Sequence, residues 1–286
     1  MNQKVAIVTD SLACLTKELV EQYGIEVVPL NIHFNGKIYK DWVDITPDQA
    51  YELFLKAPQS WGSSAPSPED YLKVFRELGS RIKNILCVTA SSKVSSTHDV
   101  AKLASEQAEA EFPQTSIKVL DSQMATAAEG LVALAAAQAA KAGKSLAEVT
   151  KIAEEIRDKV TFVAFLDTIR YVYRSGRIPK IAALAGSVLN IRPLLTISSG
   201  VVRFKGAVRS RERGIEQMLK LAKDRVGQRP VHMAVMHAYA LEEAQKLKER
   251  VASAFNCVEL WISEFSPLMG YATGTGTLGL AFYPED

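Results

Sequence analysis

Four short apolar runs, at residues 5–8, 25–30, 85–88 and 117–120, constrain this chain most. Each is the size of a strand rather than a helix, and helix-start signals separate them. Thr9-Asp10-Ser11 offers cap chemistry for a helix running to about Tyr23, and Thr46-Pro47 opens another. Ser67-Pro68-Glu69-Asp70 combines a capping hydroxyl, a proline at the first helical position and acids against the helix dipole. A hydroxyl-rich turn at 91–97 leads into a helix to about Glu111, and an Ala-rich helix follows Asp121-Ser122. Ser145 with Glu148 forms a capping box for a helix reaching about Val160. Strands that alternate with helices pair through crossovers, which predicts a mostly parallel, doubly wound sheet. Ligands of such sheets gather beyond the carboxyl ends of the strands. Asn35-Gly36, between Ile32-His33-Phe34 and Lys37-Ile38-Tyr39, adds a hairpin.

The second half has another rhythm. Residues 161–166 predict a strand, and helical segments flank Ser175-Gly176-Arg177. Residues 192–197 and 201–204 flank Ser198-Ser199-Gly200 as a hairpin. A helix over 211–225, a strand over 231–236, a helix over 241–254 and strands over 258–262 and 278–282 follow. Hairpins mixed with helices imply some antiparallel pairing. A chain of 286 residues also exceeds one comfortable core. The expected fold class is α/β in two domains. Residues 1–160 form a mostly parallel sheet with flanking helices, and residues 161–286 form an α+β domain.

Composition removes several function classes. A net charge of +2 makes no demand for nucleic acid and calls for at most transient membrane contact. Cys14, Cys87 and Cys257 are odd in number and far apart, which gives neither a disulfide framework nor a zinc spacing. Residues 125–143 are apolar but broken by Glu129, Gln138 and Lys141, so they read as a buried helix rather than a membrane span. Residues 1–10 lack a basic segment followed by a hydrophobic stretch, so no secretory signal is read and a cytoplasmic location is expected.

The distinctive feature is hydroxyls where strands give way to helices. They occur at Thr9-Asp10-Ser11, at Ser63-Ser64-Ala65-Pro66-Ser67, at Ser91-Ser92 with Ser95-Ser96-Thr97, and at Asp121-Ser122. A further cluster is Thr273-Gly274-Thr275-Gly276-Thr277. Hydroxyls and free N–H groups at helix starts make an anion site without a fixed positive charge, suited to a carboxylate or a phosphate. Gly274-Thr275-Gly276-Thr277-Leu278-Gly279 matches a dinucleotide fingerprint in letters only, because a strand rather than a helix is expected after it. No nucleophile elbow is present. Ser95 with His98 is a conceivable nucleophile and base, without an obvious orienting acid. His232 and His237, five apart on a strand, point to opposite faces and cannot share a metal. Binding is therefore expected rather than catalysis, with no cofactor. A serine-dependent acyl hydrolase using Ser95 is the alternative.

Several segments carry a family pattern in order and spacing. Val8-Thr9-Asp10-Ser11 matches an opening T-D-S, and Ser63-Ser64-Ala65-Pro66-Ser67-Pro68 looks like T-S-Q-P-S-P. The segment Ser91-Ser92-Lys93-Val94-Ser95-Ser96-Thr97 looks like S-S-x-x-S-G-T, and Val119-Leu120-Asp121-Ser122 like V-I-D-S. Ser175-Gly176-Arg177-Ile178 is similar to G-G-R-I, Asn190-Ile191-Arg192-Pro193 to N-I-K-P, and residues 270–279 to G-x-H-x-G-P-G-x-x-G. Across its whole length the chain resembles the DegV family, fatty-acid-binding proteins that include the binding subunit of bacterial fatty acid kinase.

The resemblance implies a lipid tunnel between the two domains that takes a long-chain fatty acid of the palmitate, stearate or oleate class. It implies that hydroxyls at Ser63 and Ser95, with Ser64, Ser96, Thr97 and nearby backbone N–H groups, hold the carboxylate. Ala272, Thr273 and Arg177 are expected to line the site. Ala272 stands where the family has histidine, and Thr275 where it has proline. In kinase-linked members a separate subunit phosphorylates the bound acid, and Arg209 and Arg211, which follow the second hairpin, are candidate contacts for such a partner.

Overall fold

The computed structural model describes residues 5–168, 171, 176–177 and 191–285. Strands β1 (Ala6–Asp10) and β2 (Ile25–Val28) open the chain, followed by β3 (Asn31–Phe34), β4 (Lys37–Lys40) and β5 (Trp61–Ser64), then β6 (Asn84–Thr89) and β7 (Ser116–Asp121). β2, β1, β6 and β7 lie side by side in that order and pair in parallel throughout. β4, β3 and β5 form a separate antiparallel sheet on the Asn35-Gly36 hairpin, and both turn residues are left-handed.

Helices α1 (Lys17–Tyr23), α2 (Pro47–Lys56), α3 (Pro68–Gly79), α4 (Thr97–Glu111), α5 (Ala127–Lys141) and α6 (Leu146–Lys159) connect these strands. The starts of α2, α3 and α6 are full capping boxes, Thr46 with Gln49, Ser67 with Asp70 and Ser145 with Glu148. One expected start is corrected. Thr9-Asp10-Ser11 does not begin the helix that ends at Tyr23. Asp10 instead caps a single 3₁₀ turn, Ser11–Ala13, by accepting from Leu12 N–H at 2.9 Å. The chain then passes through left-handed Cys14, and Thr16 caps α1.

The second half contributes β8 (Thr161–Phe165), β9 (Arg192–Ser198), β10 (Val201–Val208), helix α7 (Arg211–Val226), β11 (Val231–His237), helix α8 (Leu241–Ala254), β12 (Cys257–Glu264), helix α9 (Pro267–Thr273) and β13 (Leu278–Pro284). Its six strands run β10-β9-β8-β13-β11-β12, antiparallel except for β11 and β12, which α8 joins by a crossover. The β9–β10 hairpin turns on Ser199 (φ 50°) and Gly200 (φ 79°), the two left-handed positions that a tight hairpin twist requires. The helical segments expected to flank Ser175-Gly176-Arg177 lie largely outside the described residues; Gly176 and Arg177 themselves are exposed. The fold is thus α/β, a parallel sheet with flanking helices followed by an α+β half.

α5 explains how the halves meet. It is buried on every side from Ala127 to Ala140 except at Gln138. One core cluster joins its Leu131 and Leu134 to Ile7, Leu86 and Val88 of the parallel sheet and to Phe162, Ala234, Met236 and Ala281 of the other. A helix apolar all round is one with protein on all sides. Among the described residues no helix is long and apolar enough to cross a membrane.

Candidate functional site

A cavity of about 320 Å³ lies against the carboxyl edge of the parallel sheet, a size common for small-molecule sites. Both halves wall it. Ser63, Ser64 and Ala65 come from the end of β5, and Val94, Ser95 and Ser96 from the turn before α4. The second half supplies Phe162 and Ala164 of β8, Leu195 and Ile197 of β9 and Val202 of β10. Leu268, Met269, Tyr271, Ala272 and Thr273 of α9 complete most of that wall. The lining is aliphatic and aromatic apart from a few hydroxyls and Arg177, whose Nε donates to Val94 O at 3.5 Å.

The strand register separates the two β5 serines. Ser63 pairs with buried Ile32 on the inner face, whereas Ser64 pairs with Asn31 on the outer face. The Ser64 hydroxyl is engaged there by His33 Nε2 at 2.9 Å and by Asn31 Nδ2 at 3.3 Å. The Ser64 hydroxyl is therefore engaged on the outer face. Ser95 Oγ lies 2.6 Å from Thr97 Oγ1 and accepts from Thr97 N–H at 3.3 Å. Thr97 is fully buried behind Ser95 rather than on the wall, where it orients the Ser95 hydroxyl. Ser96, on the wall and at the cap position of α4, makes no side-chain cap bond, while the first helical N–H, that of Thr97, is taken by Ser95 Oγ.

Ser95 and His98, the pair of the hydrolase alternative, have other hydrogen-bond partners in this structure. His98 Nδ1 bonds Thr89 Oγ1 at 3.0 Å, and the Ser95 hydroxyl is taken by Thr97 instead. The two arginines also separate. Arg209 is exposed. Arg211 is half-buried, 3.5 Å from Asp167 and stacked over Phe165, which removes most of it from a docking surface.

Sequence reasoning missed a buried acidic group beneath the site. Asp10 accepts from Leu12 N–H and from Ala90 N–H, the latter at 2.9 Å, and so ties the end of β1 to the start of the Ser95 turn. Burial pushes its carboxyl up to about 6 against those bonds. Glu129 of α5 accepts from Thr9 Oγ1 and lies beside Asp10. Burial and the neighbouring acid hold Glu129 well above the usual range. Asp41 accepts from Ser266 Oγ, the α9 cap, at 2.6 Å, and burial raises it to about 6. An acid inside an otherwise apolar Ala-rich helix was the available signal. Among the described residues no group of three or more His, Cys, Asp or Glu is placed to hold a metal.

The family model described as "Uncharacterised protein, DegV family" matches residues 4–285. The chain belongs to the DegV family. A DegV domain-containing protein of Clostridium perfringens is 30% identical over 98% of this chain and 99% of its own. Among solved DegV structures, one from Thermus thermophilus, described for its fatty acid binding, is 30% identical with a TM-score of 0.90, covering 99% of this chain and 100% of that one. A stearic acid-binding protein from Eubacterium ventriosum is 25% identical with a TM-score of 0.90, covering 98% of each chain.

Proposed function

We propose that the cavity takes one long-chain fatty acid, of the palmitate, stearate or oleate class, and that the protein is a cytoplasmic lipid carrier rather than a catalyst. The observation that carries this is the cavity wall, apolar almost throughout, with Ser63, Ser95 and Ser96, the residue before α4, on it. Fatty acid binding in the Thermus and Eubacterium relatives supports the same reading. The carboxylate accepts from Ser63 Oγ, Ser95 Oγ and α4 N–H groups, and the tail runs between the 1–160 and 161–286 domains.

The energetics need such a site. A sixteen-carbon tail offers about 12 kcal/mol at roughly 0.8 kcal/mol per buried CH₂. Association consumes about 4–15 kcal/mol, so the tail supplies most of the affinity. Charge-assisted hydroxyl contacts of about 1.5–3 kcal/mol each fix which way the acid enters. We also propose that a separate kinase subunit can dock near exposed Arg209 and phosphorylate the bound acid. Ala272, on the wall, leaves that chemistry without a histidine donor from this position.

Native mass spectrometry of the purified chain tests the central claim. One saturated or monounsaturated chain of about sixteen to eighteen carbons per monomer is expected, since an empty apolar cavity forfeits contacts on every side. A lipid-free protein that gains no stability from added palmitate refutes it. For the partner, purified kinase from the same organism should release acyl phosphate from the loaded protein, and more with Ala272→His. Absence of product from both would leave storage or transport as the role.

A further inference from the structure

One residue beside the cavity joins parts of the chain that are far apart in sequence. Ser91, fully buried, follows β6. Its carbonyl accepts from Val94 N–H at 3.1 Å and Ser95 N–H at 3.0 Å, which forms the turn that presents Ser95. Its own N–H donates to Met124 O at 2.7 Å. Met124 lies in a loop with left-handed Gln123 (φ 52°) and Thr126 (φ 67°). A β-branched residue holds such a φ only where its surroundings fix it, so the support behind Ser91 is rigid.

The Ser91 hydroxyl faces the other half. It donates to Gly200 O at 2.9 Å and accepts from Lys93 N–H at 3.2 Å. Lys93 Nζ adds a bond to Ser199 O at 2.9 Å. These contacts clasp the tip of the β9–β10 hairpin. A Cβ on Gly200 would sit 2.6 Å from Ser91 Oγ, so only glycine allows so close an approach. The clasped hairpin carries Leu195, Ile197 and Val202 of the cavity wall. β8 pairs with β9 only as far as Thr196, so residues 197–202, which include Ile197 and Val202, stand beyond that pairing as a two-stranded tip.

We propose that Ser91 is a positioning residue that couples the Ser95 turn to this hairpin, and that lipid enters and leaves when the clasp opens and the hairpin tip, residues 197–202, bends away beyond the β8 pairing. This rests on the fatty acid reading of the cavity and adds the element that controls exchange. It assigns the hairpin a role as the movable wall, with Ser91 and Lys93 as its catch.

The test uses the full delipidated chain and cis-parinaric acid as the probe. Stopped-flow fluorescence gives association, and a chase with excess palmitate gives dissociation. Hydrogen exchange of amides 196–202 reports the hairpin itself. In Ser91→Ala, association and dissociation should both rise by about tenfold, the rate equivalent of one lost hydrogen bond, while Kd stays within about threefold. Lys93→Met, altered at an exposed side chain, should move both rates the same way by less, and it carries the test if Ser91→Ala does not fold. Hairpin protection should fall in each. Faster dissociation alone, with matching loss of affinity, would show that Ser91 only supports Ser95 and would overturn the proposal. Unchanged rates in both variants would overturn it too. A wild-type chain that takes up no probe refutes the fatty acid reading instead. In that event lowered hairpin protection upholds the clasp, and unchanged protection removes it.

Discussion

Asp41 should make the protein less stable at neutral pH than in mild acid. The group is fully buried, its Oδ2 accepts from Ser266, and its Oδ1 has no partner among the described residues. Its folded-state pKa lies at about 6 against an ordinary 3.8. A raised folded value means that the unfolded chain releases its proton first as pH rises. Stability from this group is complete below the ordinary pKa, falls as pH climbs from about 4 to 6, and is then lost by about 3 kcal/mol. Asp10, also raised to about 6, adds in the same direction. The lowered acids Asp70, Glu111 and Glu148 oppose this only in stronger acid. Asn at 41 keeps an acceptor for Ser266 and cannot ionise. The stability of Asp41→Asn relative to wild type should therefore grow by about 2 kcal/mol between pH 4.5 and 7.5. Urea unfolding of delipidated protein at constant ionic strength measures this. Parallel curves for the two proteins across that range would refute the argument.

Other outcomes follow from the same geometry. Ser63→Ala and Ser95→Ala should each weaken fatty acid binding by about 1–3 kcal/mol in calorimetry, whereas Ser64→Ala, on the outer face, should change it little. Palmitate should restore the melting temperature of delipidated protein far better than octanoate, since eight missing methylenes forgo roughly 6 kcal/mol of transfer energy. Gly270→Ala should cost about 1–3 kcal/mol in urea unfolding. The new methyl meets the ring of Tyr51, which is buried and anchored to Phe265 O at 2.9 Å. In a reconstituted kinase assay, Arg209→Ala should lower acyl phosphate formation more than Lys246→Ala, an exposed cation on α8.

Most of the fold was legible because its signals are local. The capping residues at Thr46, Ser67 and Ser145, the Asn35-Gly36 turn and the strand-sized apolar runs each state their structure within a few residues. The start of α1 was misplaced for a related reason. Asp10 looks like a helix cap in sequence, but its second oxygen is claimed by Ala90, eighty residues away. The serines of the cavity wall were legible as hydroxyls at strand ends. Their division of labour was not, since it depends on strand register for Ser63 and Ser64 and on burial for Thr97. Glu129 read as a flaw in an apolar helix because only tertiary packing brings Asp10 and Thr9 to it. The strand β5 and the helix α9 are short and lack strong periodicity, so they emerge only from their neighbours.

α5 has a consequence for how such a chain can change over time. Most helices keep one face in water, where substitutions accumulate freely. α5 has no such face between Ala127 and Ala137, and its alanines are the spacers that set the distance between two sheets. A larger side chain at one of these positions would push on both layers together, so drift in one half must be matched in the other. The halves are thereby bound to a common history, and neither is free to be exchanged as a module. A fragment ending at residue 160 would carry α5 with one side stripped, and should be recovered as aggregate rather than as a folded half.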